Sequence, residues 1–160
     1  MRGCFWAGCS LAQCDSETRN VLQCPLSNVG LGAITAMRAG AAAAICNDID
    51  EFAGAAIRLN AELNGVAFDI QLKDLLSGPP SDADVILVGD VFYEKPLAER
   101  ALAWLKACQK RGADILAGDP KRTYFPMSEF EHVAEYRVPV SRELEDTDIK
   151  KTSVWRLKAR

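Results

Sequence analysis

The run Asp84-Val85-Ile86-Leu87-Val88-Gly89-Asp90 constrains the fold most, because its apolar side chains follow one another without a polar break. A strand with one face in water alternates apolar and polar residues. One that does not alternate is covered on both faces, which is the situation of a central strand in a parallel sheet. Parallel neighbours need long crossovers, usually helical, and the flanking sequence has the periodicity to supply them.

Upstream, Val21-Leu22 ends a first strand and Pro25-Leu26-Ser27-Asn28-Val29-Gly30 is turn-rich. Leu31, Ile34 and Met37 then recur at helical spacing until Gly40. Ala43-Ala44-Ile45-Cys46 predicts a second strand, and Phe52, Ala56, Leu59 and Leu63 predict the inner face of a helix closed by Asn64-Gly65. Alternation of Val66, Phe68, Ile70 and Leu72 predicts a third strand. Downstream, Leu97 to Lys110 reads as a helix with Leu97, Ala101, Leu105 and Cys108 inward, followed by the strand Asp114 to Ala117. Beyond Asp119-Pro120 the pattern predicts a short helix over Phe130 to Val133. Strands at Tyr136 to Val140 and Thr152 to Leu157 are expected to pair as an antiparallel hairpin. Sustained βαβα order makes the class α/β with a mostly parallel, Rossmann-like sheet. Residues 1–24 show no lasting period and are set apart as an atypical N-terminal segment, leaving 25–160 as the domain.

A chain of 160 residues with 49% hydrophobic content fits one domain with a real core. Its formal net charge of -3 gives no basic footprint, so nucleic acid is not the expected partner. The apolar stretch Ala33 to Cys46 is broken by Arg38 and Gly40, so no membrane span is expected. Met1 to Trp6 lacks the apolar core of a secretion signal, and a cytoplasmic location is the expectation. Cys4, Cys9, Cys14 and Cys24 crowd the N-terminus, but close Cys pairs are missing and His132 is the single histidine, so no metal is expected. Cys46 and Cys108 are expected to be buried thiols. Oligomeric state stays open.

In an open parallel sheet, ligands bind outside the carboxyl ends of the strands, where an acidic side chain can accept both hydroxyl hydrogens of a ribose. Asp48 follows the second strand and suits that role, while a helix N-cap is its structural alternative; Asp50 is the better cap. Asp74 ends the third strand, near where an adenine amino group would lie, or is a solvated turn residue. Asp90 with Phe92 and Tyr93 offers an acceptor and two aromatic faces past the central strand, or the aromatics pack at the edge of the core.

Asn47-Asp48-Ile49-Asp50-Glu51-Phe52-Ala53, Arg58 to Val66, Gly89-Asp90-Val91-Phe92-Tyr93-Glu94 and Gly118-Asp119-Pro120 together resemble the class I S-adenosylmethionine-dependent methyltransferases. Within these, the stretch from Leu31 to Leu157 most resembles the electron-transfer-flavoprotein β-subunit lysine methyltransferases and the methyltransferases of large-subunit ribosomal proteins. The resemblance implies a seven-stranded sheet whose last strand is antiparallel. It further implies S-adenosylmethionine as cofactor and a protein lysine as methyl acceptor. By position, Gly30, Asp48, Ile49, Asp74 and Leu75 would bind the donor, Asp90 and Tyr93 would be catalytic, and Phe92 and Tyr93 would shape the substrate entrance. One departure stands out: the family's loop carries an acidic residue and then alternating glycines, whereas Cys24 to Gly30 retains only Gly30. Larger side chains there are expected to crowd the donor, so a methyltransferase-like binding module is the alternative reading. A nicotinamide-dependent oxidoreductase would also use Asp48 but lacks its glycine fingerprint here.

Overall fold

The structure is a computed structural model and describes residues 21–26, 29–139 and 149–159. Seven strands form one sheet: β1 (Val21–Cys24), β2 (Ala43–Asp48), β3 (Asp69–Leu72), β4 (Val85–Gly89), β5 (Asp114–Asp119), β6 (Phe130–Pro139) and β7 (Ile149–Leu157). Among the first five, α1 (Leu31–Arg38) joins β1 to β2, α2 (Glu51–Leu63) joins β2 to β3 and α3 (Lys95–Lys110) joins β4 to β5, while β3 and β4 are linked through the short 3-10 turn Leu75–Ser77. The strand order is β3-β2-β1-β4-β5-β7-β6. β1 to β5 are parallel, while β7 runs antiparallel to both β5 and β6. The mostly parallel sheet with an antiparallel C-terminal hairpin is what the residue pattern predicted, and its seven strands are what the family resemblance implied.

β4 shows why its run is unbroken. Val85 and Leu87 join Leu22, Cys24, Ala33, Ala44 and Ile57 on the α1 and α2 face. Ile86 and Val88 join Ala101, Trp104, Leu105 and Ile115 on the α3 face. Each face of the strand thus feeds a separate core layer, as a central strand must. Among the described residues no helix is long and apolar enough to cross a membrane.

Three local expectations change. Phe130 to Val133 is not a helix: the short 3-10 turn is Met127–Glu129, and β6 starts at Phe130. A register irregularity between His132 and Ala134 breaks the alternation that would have marked this strand. The inner face of α2 is Gly54, Ile57 and Ala61, whereas Phe52, Leu59 and Leu63 are exposed. Finally, β1 pairs with both β2 and β4 in mid-sheet, so the boundary expected at residue 24 cuts behind a strand that belongs to the domain.

Candidate active site

The strand order places β1 between β2 and β4. From β1 the chain crosses by α1 to β2, and from β4 it crosses by α3 to β5 on the opposite face. The connections therefore diverge where β1 meets β4, leaving a crevice beyond the carboxyl ends of these strands. Asp48 is the last residue of β2 and Asp90 the first after β4, the strands on either side of β1.

Asp48 is only 5% exposed. Its Oδ1 accepts the amides of Ile49 at 2.8 Å and Asp50 at 3.1 Å, which shapes the turn into α2. Its Oδ2 is buried and has no hydrogen-bond partner. Capping of α2 falls to Asp50, whose Oδ1 accepts from the Phe52 amide at 2.9 Å, so Asp48 is released from that task. Asn47, 1% exposed, donates from Nδ2 to the carbonyls of Gln71 and Lys73 at 2.8 and 2.9 Å, fixing the end of β3 against β2. Ile49 lies 63% exposed beside Asp48 and presents an apolar face.

The loop after β1 is held from below. Asn60 of α2 donates to the Val29 carbonyl at 3.0 Å. Gly30 caps α1 at φ 77°, and a Cβ there would meet Ile57 Cγ2 at 3.1 Å, so both conformation and space call for glycine. Leu26, in the family's glycine-bearing loop, also has a positive φ of 55°. Its side chain packs against the α3-side core layer. The crowding expected of a large residue is thus turned into the protein at this position. Ser27 and Asn28 lie outside the described residues.

Asp74 caps the turn Leu75–Ser77, accepting the Leu76 amide at 3.0 Å. Its Oδ2 takes the Ser77 hydroxyl at 2.6 Å and Arg100 Nη2 at 2.7 Å. Hydrogen bonds from Ser77 and then Arg100 hold its carboxyl below the ordinary carboxylate value. The carboxylate is therefore occupied. Leu75 is buried in the α3-side layer, so what it offers outward is backbone.

At the end of β4, Asp90 adopts φ 51° and its amide donates to the Gly118 carbonyl at 3.0 Å. Its two carboxylate oxygens receive Arg122 Nε at 2.6 Å and Nη2 at 2.7 Å. Tyr93 stands 59% exposed at the mouth. Phe92 does not: it is 1% exposed and meets Phe125 edge-on at 5.1 Å and Phe130 at 6.0 Å. Phe92 is therefore a core residue that anchors the motif and not part of the entrance: in the turn after β4, Val91 and Phe92 are both buried and Tyr93, next after them, faces out. Beneath them, Asp119 is 0% exposed; its Oδ1 accepts the Arg122 amide at 2.7 Å and its Oδ2 has no partner. Burial pushes the Asp119 carboxyl up, against the hydrogen bonds from the Arg122 and Lys121 amides.

Arg122 was not a sequence-predicted site residue, and it comes to Asp90 from a loop distant in sequence. Asn47 and Asn60, which position the site, did lie in the matched segments, but nothing in sequence distinguished them from surface polar residues.

No family model matches the chain. It is 36% identical over 135 residues to the electron transfer flavoprotein beta subunit lysine methyltransferase of Rattus norvegicus, covering 81% of this chain and 53% of that protein. The Homo sapiens protein of the same name is also 36% identical over 135 residues, with 81% and 52% covered. The chain thus spans about half the length of the curated relatives it matches. Its fold is similar to that of a ribosomal protein L11 methylase from Lactobacillus delbrueckii subsp. bulgaricus, with TM-score 0.60 and 16% identity over 91% of this chain and 73% of that one. It is similarly close to a magnesium protoporphyrin IX methyltransferase from Synechocystis PCC 6803 solved with bound SAM, with TM-score 0.62, 15% identity and 93% and 74% covered.

Proposed function

We propose that this chain, homologous over most of its length to the electron transfer flavoprotein beta subunit lysine methyltransferases, carries the donor-binding domain of an enzyme. That enzyme would move a methyl group from S-adenosylmethionine to a lysine side chain of a protein. One observation carries the reading: at the end of β2, beside the switch point, Asp48 keeps a buried carboxylate oxygen with no partner. A buried unpaired acceptor is costly unless something else supplies a donor, and a ribose hydroxyl does so. The residues fit the cofactor.

In the bound state Asp48 would accept the ribose hydroxyls, and Gly30 would let the backbone at the start of α1 come close. Ile49 would cover an apolar face of the adenosine, and the Asp74-Leu75 backbone would border its adenine. S-adenosylmethionine would supply a methyl group on a sulfonium: the lone pair of a neutral amine would attack the methyl carbon in line with the C–S bond, which breaks to release the thioether S-adenosylhomocysteine, and the methylated amine would pass a proton to solvent. Asp90 and Tyr93 would then orient that amine at the mouth and keep water from its place.

Calorimetric titration of the whole chain with S-adenosylmethionine tests the donor half. Saturable heat is expected, and Asp48→Ala should weaken binding at least about tenfold, the scale of hydrogen bonds to a charged group. Equal affinity in the variant would remove Asp48 from the ribose, and a folded chain that takes up no donor would be a binding module instead. Transfer of labelled methyl to electron transfer flavoprotein beta subunit tests the acceptor half.

A further inference from the structure

Asp90 offers its carboxylate at the mouth of the site, yet both oxygens are already taken by the Arg122 guanidinium, at 2.6 and 2.7 Å. We propose that Arg122 is a displaceable guard of Asp90, a positioning residue that holds the place of the acceptor's cationic side chain and yields it when that side chain arrives. The inference rests on the reading that Asp90 meets an amine.

Three features make the exchange work. The first is cost: the two side chains are 41% and 49% exposed, and an ion pair so open to water contributes about 0–1 kcal/mol, so a second cation can replace the first without large loss. The second is that the main chain under Arg122 stays in place. Its amide is fixed by the fully buried Asp119 at 2.7 Å, its carbonyl accepts the Phe125 amide at 3.0 Å, and the neighbouring Tyr124 amide reaches the Phe92 carbonyl at 3.3 Å. Only the side chain has to swing. The third is that the main chain at Asp90 stays in place, because its amide is tied to Gly118 and Val91 and Phe92 behind it are in the core. The carboxylate therefore stays at the mouth after the guanidinium leaves.

The arrangement also selects. A hydroxyl or a carboxamide has no charge with which to offset the lost pair, whereas the acceptor lysine arrives as an ammonium that brings one and gives its proton to solvent before the neutral amine attacks. Arg122 thus excludes neutral side chains from Asp90 more strongly than an unguarded carboxylate would, a form of discrimination against wrong partners.

Arg122→Met keeps length and removes every donor. With electron transfer flavoprotein beta subunit as acceptor, its KM should fall about fivefold while kcat stays within about twofold, and Arg122→Lys should restore most of the KM. In an Asp90→Asn background the Arg122 change should leave KM unaltered. A lower kcat at constant KM, or a higher KM, would overturn the proposal. A second measurement needs no turnover: the Arg122 Nε–H resonance is followed as n-butylammonium chloride is added to the wild-type chain. A saturating shift is expected that sodium chloride does not reproduce and that Asp90→Asn lacks, and equal responses to both salts would sink the idea. Absence of methyl transfer by the wild type would count against the functional reading alone, since the resonance still decides the role of Arg122.

Discussion

Asp119 is a buried carboxylate whose placement carries a cost in the fold. One oxygen takes the Arg122 amide, the other is buried without a partner, and burial raises the carboxyl above the ordinary 3.8. The sign follows from proton counting. Between 3.8 and the raised value the folded protein holds a proton that the unfolded chain has released, so the contribution to stability is full below 3.8 and is lost as pH rises through the folded value. Asn can keep the bond to Arg122 and carries no charge. Stability of Asp119→Asn relative to wild type, from urea unfolding at pH values stepping upward from 3.8, should therefore increase with pH. Parallel curves would show that Asp119 is not titrating in the fold. Asp74 acts with the opposite sign, since its lowered value stabilises above 3.8 and fades as pH falls, but it is common to both proteins and cancels from the comparison. Cys24 is a quieter case: burial, and then the neighbouring Cys46, push its thiol well above the ordinary 9.0, so it stays protonated as a small apolar residue.

At the scale of elements, α2 shows what hydrophobic periodicity can mistake. Phe52, Leu59 and Leu63 share helical spacing and large apolar side chains, yet they are 87%, 60% and 84% exposed. The buried stripe is small because the helix lies close. A Cβ on Gly54 would come within 2.6 Å of Leu72, and Ile57, 0% exposed, fills the space under Gly30. Size misled the choice of face, and only the distance to the sheet resolves it. Ile57→Ala should cost about 2–4 kcal/mol in urea unfolding, whereas Leu59→Gln and Leu63→Gln should each change stability by no more than about 0.5 kcal/mol. Comparable losses at Leu59 and Ile57 would put the wrong face against the sheet. The same contrast explains how far the sequence could be read. β4 was visible as an unbroken apolar run, β5 as the strand that follows a helix, and Asp48 was visible because a strand end fixes where it stands. The bulged start of β6 hides its period, Phe92 and Tyr93 look alike until the core claims one of them, and Arg122 reaches Asp90 only through tertiary packing. Pairing of that kind leaves no local trace in the chain.

Across the whole molecule, protection is expected to grade from the middle of the sheet outward. Ile86 and Val88 are 0% and 2% exposed and are flanked by paired strands, while β3 has four residues, none buried, on one edge of the sheet. Amide hydrogen exchange should find the β4 and β5 amides opening only with global unfolding, and those of β3 opening by local events well below that free energy. Uniform protection from β3 to β5 would mean that the sheet opens as one unit. The position of β7 has a further consequence, for biosynthesis. β7 follows β6 in the chain but sits between β5 and β6, so a nascent chain that has left the ribosome as far as Pro139 still carries a bare strand edge along β5. The sheet cannot seal itself from the first residue to the last. It waits for one late strand, and in that interval the growing chain needs either rapid synthesis or a chaperone to keep the β5 edge from pairing with another molecule.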